Sequence, residues 1–234
     1  MGLSHSPRMI TDGLIAYWDA ANPKSYTGDS SIWYDLSGNG HHAYGDPGAE
    51  GAGYDDGNFP SWEPNNGGRF SFDLTQGLTV LTDMGARSVL TVDMWIYKTG
   101  TGLGYLFDAR NNGGSYWIAN YSTGNFNMNT SLKANDPSLY QTNSNWWDRW
   151  INVVITSNSG GSALWINGEA ITDDRLIASN SVPETLGQYF RIGARYTSTG
   201  RWNGYWSNLR FYNRVLSDIE IQNNFNSLRG RFGI

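Results

Sequence analysis

NGYWSNLRFYNRVLSDIEIQNNFNSLR, residues 203–229, is the stretch that decides the fold. In its first half Leu209 and Phe211 alternate with Asn208, Arg210 and Tyr212, the period-two pattern of a strand with one apolar face. A helix start follows at once. Ser217 stands at the N-cap, Glu220 three residues on completes a capping box, and Leu216 and Ile221 occupy the two positions of a hydrophobic staple. Ile221, Phe225 and Leu228 then share one stripe at helical spacing, and Gly230 is read as the stop. A strand that closes a sheet and is locked by a capped helix is a statement about fold before it is one about function.

The same division of faces recurs upstream. In VLTVDMWIY, Leu90, Val92, Met94 and Ile96 oppose Thr91, Asp93, Trp95 and Tyr97. In WINVVIT, Ile151, Val153 and Ile155 oppose Trp150, Asn152 and Thr156, and in YFRIGAR, Phe190, Ile192 and Ala194 oppose Arg191 and Arg195. Each strand turns aliphatic residues to one side and aromatic or polar ones to the other, as antiparallel sheets do. Earlier, GLIAYWDA reads as a strand with both faces largely buried, and Phe70 and Phe72, then Leu78 and Val80, continue the apolar set. Asn167-Gly168 inside ALWINGEAI is a two-residue hairpin signal. The Gly-, Pro- and Asn-rich region from Asn22 to Arg69 is too long for a structureless loop and predicts one or two short strands. Short, regularly spaced strands with one terminal helix predict an all-β, antiparallel two-sheet sandwich. Residues 1–12 read as a leader and 13–234 as one domain.

Composition agrees. Of 234 residues 15% are aromatic and 16% charged, which suits tight turns and many strands rather than helices. With a net charge of −5, three lysines and scattered arginines, the chain has no basic stripe for nucleic acid. It has no cysteine, so thiol chemistry is excluded. MGLSHSPRMITDG lacks the apolar core of a secretion signal, and no window reaches the length of a membrane-spanning helix.

The succession GLIAYWDA, WYDLSGNGHHA, FSFD, LTVDMWIY, WINVVIT with LWINGEAI, YFRIGAR and NGYWSNLRFYNRVLSDIEI resembles the laminin-G-like, concanavalin A-like lectin/glucanase jelly rolls, over nearly the whole chain from Gly13. The opening SPRMITDGLIAYWDAANPKSY looks like the compact lectin-like proteins of tailed phages, marine ones especially. The resemblance implies a jelly roll whose loop ends or concave sheet bind glycans, frequently with a structural calcium. It also implies a virion protein, a surface decoration or attachment piece, assembled in the host cytoplasm beside other capsid or tail proteins. The alternatives are a free carbohydrate-binding lectin and a glycoside hydrolase.

The residues weigh these options. The glucanases of this fold carry ExDxxE on one strand, since retaining hydrolysis needs two carboxyls about 5 Å apart. The five glutamates, Glu50, Glu63, Glu169, Glu184 and Glu220, have no acidic neighbour at that spacing, and Asp93 reads as a hydrogen-bond partner for Arg or Trp rather than half of a catalytic pair. The expectation is a protein that is not an enzyme. Adjacent His41 and His42 point to opposite faces of a strand and so do not share an ion. For calcium, Asp35 and Asn39 in DLSGNG, joined by Asp19, offer hard oxygen donors; the competing reading is an Asp/Asn/Gly turn bonded only to itself.

Sugars are gripped by aromatic platforms beside planar polar groups. The loop-placed candidates are Trp146 and Trp147, in the dense cluster Trp146-Trp147-Asp148-Arg149, and Tyr196, Arg201 and Trp202, with Trp62 and Tyr105 further off. Each also has a structural reading, because sandwiches spend many tryptophans on packing. Exposed aromatic surfaces would equally serve self-association into a homo-oligomer or docking on a particle.

Overall fold

The computed structural model describes residues 8–46, 56–85, 89–100, 102–109, 117–122, 125–130, 146–158, 161–171, 190–195 and 200–234. Its strands in chain order are β1 (Leu14–Asp19), β2 (Ile32–Trp33), β3 (Ala43–Gly45), β4 (Ser61–Glu63), β5 (Arg69–Asp73), β6 (Leu78–Val80), β7 (Leu90–Lys98) and β8 (Gly104–Asp108). There follow β9 (Trp117–Ser122), β10 (Asn125–Thr130), β11 (Trp150–Asn158), β12 (Gly161–Ile166), β13 (Glu169–Ala170), β14 (Phe190–Ile192) and β15 (Asn203–Tyr212). One helix, α1 (Asp218–Leu228), and a 3-10 turn over Arg229–Phe232 end the chain. Among the described residues no helix is long and apolar enough to cross a membrane.

The strands make a jelly-roll sandwich of two antiparallel sheets. The first runs β13-β12-β11-β7-β15-β5-β4, with β1 also paired to β15; the second runs β10-β9-β8-β14-β6-β3-β2. β15 is the hinge of the first sheet. Along one edge it pairs with β7 throughout, and along the other its first half meets β5 while its second half meets β1. The predicted alternation is the observed one: Val92, Met94 and Ile96 join Leu209, Phe211, Ile151, Val153 and Ile155 in the core between the sheets, with Trp18, Trp33, Phe70 and Phe190. Among its described residues the region from 22 to 69 holds three short strands, β2, β3 and β4, one more than the upper expectation, because both sheets recruit edge strands from it. Asn167 and Gly168 both take left-handed φ, 53° and 79°, as the two-residue hairpin between β12 and β13 requires.

The face of the first sheet turned away from the core is covered by the C-terminal segment. Ser217 and Glu220 form the predicted capping box, and Leu216 and Ile221 are both buried against Tyr212, Val154 and Trp165. Phe225 stacks on Trp95 at 5.7 Å and Phe232 at 4.1 Å. Gly230 does not end the helix. The chain stays wound through the 3-10 turn and reverses at Gly233, φ 73°, because Arg231 and Phe232 are anchored. The Arg231 guanidinium donates to Asp19 at 2.8 Å, to the carbonyls of Asn66 and Gly68 at 2.6 and 2.7 Å, and to the Ser207 hydroxyl.

The helix start carries a measurable consequence. Ser217→Ala is expected to cost about 1 kcal/mol in chemical denaturation, the usual value of an N-cap. Arg214, which bonds both Glu220 carboxylate oxygens at 2.8 and 2.6 Å, holds that carboxyl down at about 2, with further bonds from Ser217. A depressed carboxyl stabilises the fold fully above its ordinary value and ceases to as pH falls through about 2. Stability should therefore decline between about pH 5 and pH 2, and Glu220→Gln should flatten that slope in acid melts; an unchanged slope would remove this assignment.

Candidate functional site

The chain enters β11 through a tight turn that positions a groove at one end of the first sheet. Trp147 makes a parallel bridge to Lys98. The next residue, Asp148, donates its backbone N–H to the Lys98 carbonyl at 2.7 Å and takes φ 54°. Left-handed backbone is tolerated by Asp, whose short side chain can bond locally; here Asp148 Oδ1 accepts from the Gly100 N–H at 3.2 Å. Trp146 and Trp147 are half-buried against the core, and Asp148 and Arg149 are exposed. Burial pushes the neighbouring Lys98 ammonium below its ordinary value, with Asp148 acting in the opposite sense.

The groove has a volume of about 360 Å³. Its apolar wall is made by Trp146, Trp150 and Phe232, and its polar rim by Asp148, Arg149 and Asn167. Gly233 and Ile234 also line it. The rings hold one another: Trp150 lies 4.7 Å from Phe232 and 5.9 Å edge-on to Tyr97. Trp150 Nε1 donates to Asn66 Oδ1 at 3.2 Å, and Asn167 Oδ1 accepts from the Asn152 N–H at 2.9 Å. Trp146 Nε1 is buried and meets no acceptor among the described residues. A carboxylate, a guanidinium and an amide around an aromatic wall can bond several hydroxyls while an apolar ring face packs below.

A second concavity, of about 300 Å³, lies between Ala20, Pro23, Tyr26, Trp62 and Gly67. It carries less recognition chemistry, because Trp62 Nε1 is already bonded to the Ala20 carbonyl at 2.8 Å and no charged side chain lines it.

Of the residues predicted for sugar contact, Trp146 lines the groove and Trp147 packs beside it against the core. Trp202 and Arg201 do not. Trp202 is 0% exposed, edge-on to Trp206 at 5.9 Å with the Lys98 ammonium 5.5 Å from its ring. Its backbone is stitched to Gly193 at 2.8 Å and to Leu74 at 3.1 Å, so the segment crosses the sheet end and turns the side chain inward. Arg201 is 6% exposed and paired with Asp46 at 2.9 Å. Tyr196 lies outside the described residues. Phe232 and Asn167 come from remote parts of the chain, and no local signal marks either as groove-lining.

The residues considered for calcium do not fit it. Asp35 Oδ1 accepts from the Tyr17 and Ser37 N–H groups, both at 2.9 Å, and Oδ2 from the Ser37 hydroxyl at 2.7 Å and the His41 N–H at 3.1 Å. Asp19 accepts from Arg231 and Ala21 on one oxygen and from the Tyr17 hydroxyl on the other. Asn39 uses its amide nitrogen on the Ile15 carbonyl and on Ser37. The carboxylate oxygens face donors where a cation would need them free. Among the described residues no group of three or more His, Asp or Glu side chains could hold a metal ion.

Asp93 is the hub of a buried network. Its Oδ1 accepts from Asn152 at 2.7 Å and its Oδ2 from Arg210 and Asn224, each at 2.9 Å. Asn224 donates also to the Tyr212 hydroxyl at 3.0 Å, and burial pushes that phenol up to about 12. Glu63 pairs with Arg69, and Glu220 with Arg214.

A family model described as the Concanavalin A-like lectin/glucanases superfamily matches residues 72–222. No curated protein matches the sequence. Among solved structures, the chain is similar to Trypanosoma rangeli sialidase in complex with sialic acid, with a TM-score of 0.60 at 16% identity, over 94% of this chain and 33% of that one. It is similar also to the receptor binding domain of botulinum neurotoxin mosaic serotype C/D, with a TM-score of 0.61 at 15% identity, over 92% of this chain and 51% of that one. The botulinum neurotoxin serotype G binding domain gives 0.58 at 12% identity, over 91% and 50%. The chain spans between a third and half of the length of these proteins, and the likeness is one of fold.

Proposed function

The chain belongs to the Concanavalin A-like lectin/glucanases superfamily, and from that premise we propose that it is a non-enzymatic structural protein of a phage particle that adheres weakly to glycans. The observation that carries the adhesive part is the groove at the start of β11, where Trp146, Trp150 and Phe232 stand behind a rim of Asp148, Arg149 and Asn167. An aromatic wall and a mixed polar rim match the two surfaces of a sugar. The non-enzymatic part is supported by Asp93, whose oxygens are spent on Asn152, Arg210 and Asn224 instead of facing a second carboxyl across a glycosidic bond. The Asp35 carboxylate is spent on hydrogen bonds within its turn and from the Tyr17 N–H of β1, and calcium has no part in this reading. The phage setting is supported by the resemblance of the opening SPRMITDGLIAYWDAANPKSY to lectin-like phage proteins.

The test is a glycan array followed by titration of the best oligosaccharide. Trp146→Ala should weaken binding by about tenfold, the scale of one lost aromatic contact. Binding should be the same in excess calcium and in chelator, and no reducing ends should be released. Absence of binding to any glycan would remove the adhesive function. Specific binding by a protein missing from purified particles would leave a free lectin instead.

A further inference from the structure

The surface that begins in the groove does not stop at Trp150. Trp150 of β11 is opposite Tyr97 of β7 in register, Tyr97 opposite Tyr205 of β15, Tyr205 opposite Ser71 of β5, and Ser71 opposite Ser61 of β4. Five side chains thus stand in one line across five strands of the first sheet. Their chain neighbours Ile151, Ile96, Trp206, Phe70 and Phe72 enter the core, and Trp62 packs against it, so the line turns outward. The terminal segment covers the sheet beside it, over Trp95, and meets it only where Phe232 touches Trp150. Ser61 is exposed, and Ser71, Tyr205 and Tyr97 are half-buried.

The line is held in place and carries no net charge. Tyr97 lies 5.9 Å from Trp150 and 5.4 Å from Tyr205, and Trp150 and Tyr205 are 6.4 Å apart, so the three rings make one patch. The Arg69 guanidinium sits 3.6 Å from the centre of the Tyr205 ring and is fixed there by Glu63 at 2.6 Å, which also balances its charge. At the groove rim Asp148 stands against Arg149. Asp73, exposed and two residues from Ser71 on the same face of β5, adds a carboxylate that repels an anionic chain. Strands lie about 4.8 Å apart, so the line runs roughly 19 Å, too long for one sugar and suited to several linked end to end.

We propose that the groove and this line together hold an uncharged linear polysaccharide along its length, lying across the strands from Trp146 to Ser61. The proposal rests on the glycan-binding reading of the groove and adds the class of ligand: internal units of a neutral chain instead of a single terminal sugar. The rings of Tyr97 and Tyr205 give apolar contact to sugar rings, and the phenol and serine hydroxyls both donate and accept. Continuity through Trp150, which belongs to the groove and to the line, makes them one surface.

Affinity electrophoresis through β-glucan, mannan and arabinoxylan, with anionic alginate as the control, selects the probe, and oligosaccharides cut from the retarding polymer are then titrated by calorimetry. Affinity is expected to climb from the disaccharide to about four units and then level off. Tyr205→Ala should weaken the hexasaccharide by about tenfold and leave the disaccharide unchanged, whereas Trp146→Ala weakens both. If Tyr205→Ala fails to fold, hydroxyl-radical footprinting of the unaltered protein decides: protection of Tyr97 and Tyr205 by the hexasaccharide and not by the disaccharide supports the extended site, and no protection overturns it. Equal affinity for both lengths, with Trp146→Ala still harmful, would overturn the extension and leave adhesion at the groove standing. Retardation by alginate alone, or by no polysaccharide while short glycans bind on the array, would do the same. A Tyr205→Ala variant altered only in its oligomeric state would give this face to a second copy of the chain and overturn the proposal.

Discussion

Asp93→Ala is expected to lower the unfolding free energy by about 3–5 kcal/mol, the range for breaking a buried ion pair by removing one partner. Asp93 and Arg210 are both within 1% of full burial, and their 2.9 Å contact lies beneath α1. Taking the carboxylate away leaves the Arg210 guanidinium charged in a dry site where its Nε already has no partner among the described residues. The Asn152 and Asn224 amides also lose their shared acceptor, and with Asn224 goes a polar tie between α1 and the sheet. For a domain of this size the loss corresponds to a fall in melting midpoint on the order of 10 °C. Asp93→Asn, which keeps an oxygen acceptor but no charge, should fall between. A melting midpoint within 2 °C of the parent for Asp93→Ala, in water at about neutral pH, would show that the pair contributes little beyond hydrophobic packing.

Gly204→Ala is expected to be at least as damaging, above about 4 kcal/mol, by a different mechanism. Gly204 lies inside β15, paired on one side with Phe72 of β5 and on the other with Lys98 of β7. Its φ is 133°, a region L side chains rarely adopt, and a Cβ would land on the backbone carbonyl oxygen of Tyr97. That atom belongs to the ladder, so no rotamer can yield; β7 and β15 must separate, and the 2.9 Å bond from the Thr99 N–H to Asn203 O goes with them. Gly102→Ala, where an added Cβ would meet nothing within 4 Å, is the control and should melt close to the parent. A soluble, cooperatively folded Gly204→Ala with little change in denaturant midpoint would mean that β15 shifts without disturbing its neighbours. Paired circular dichroism and denaturant titration read both variants.

Much of this frame is legible without coordinates. Period-two alternation in VLTVDMWIY and WINVVIT separates core from cover because a strand has only two faces. Asp93 could be read as a partner for Arg because a lone carboxylate on an aromatic face must be satisfied there; Arg210 satisfies it from the neighbouring strand, in register. The candidate site was less legible. Trp146 carried a local signal, two tryptophans beside Asp and Arg. Trp202 and Arg201 carried a similar one, and the structure buries both. The two clusters differ in where their backbones are tethered, a long-range property that composition does not encode.

The closing stretch from Asn203 to Arg229 shows where the division falls. By itself the sequence determined its strand faces, its capping box and its staple, since each depends on neighbours within five positions along the chain. Tertiary structure decided that the winding continues past Gly230 to Gly233, because Arg231 finds Asp19, Asn66 and Gly68, and Phe232 finds Trp95, all distant in sequence. That same docking brings Phe232 to Trp146 and Trp150 and so makes the groove. Local order follows from steric and hydrogen-bonding rules that act over a few residues. A binding surface assembled from three separated segments follows only from how the sheets and the terminal helix pack.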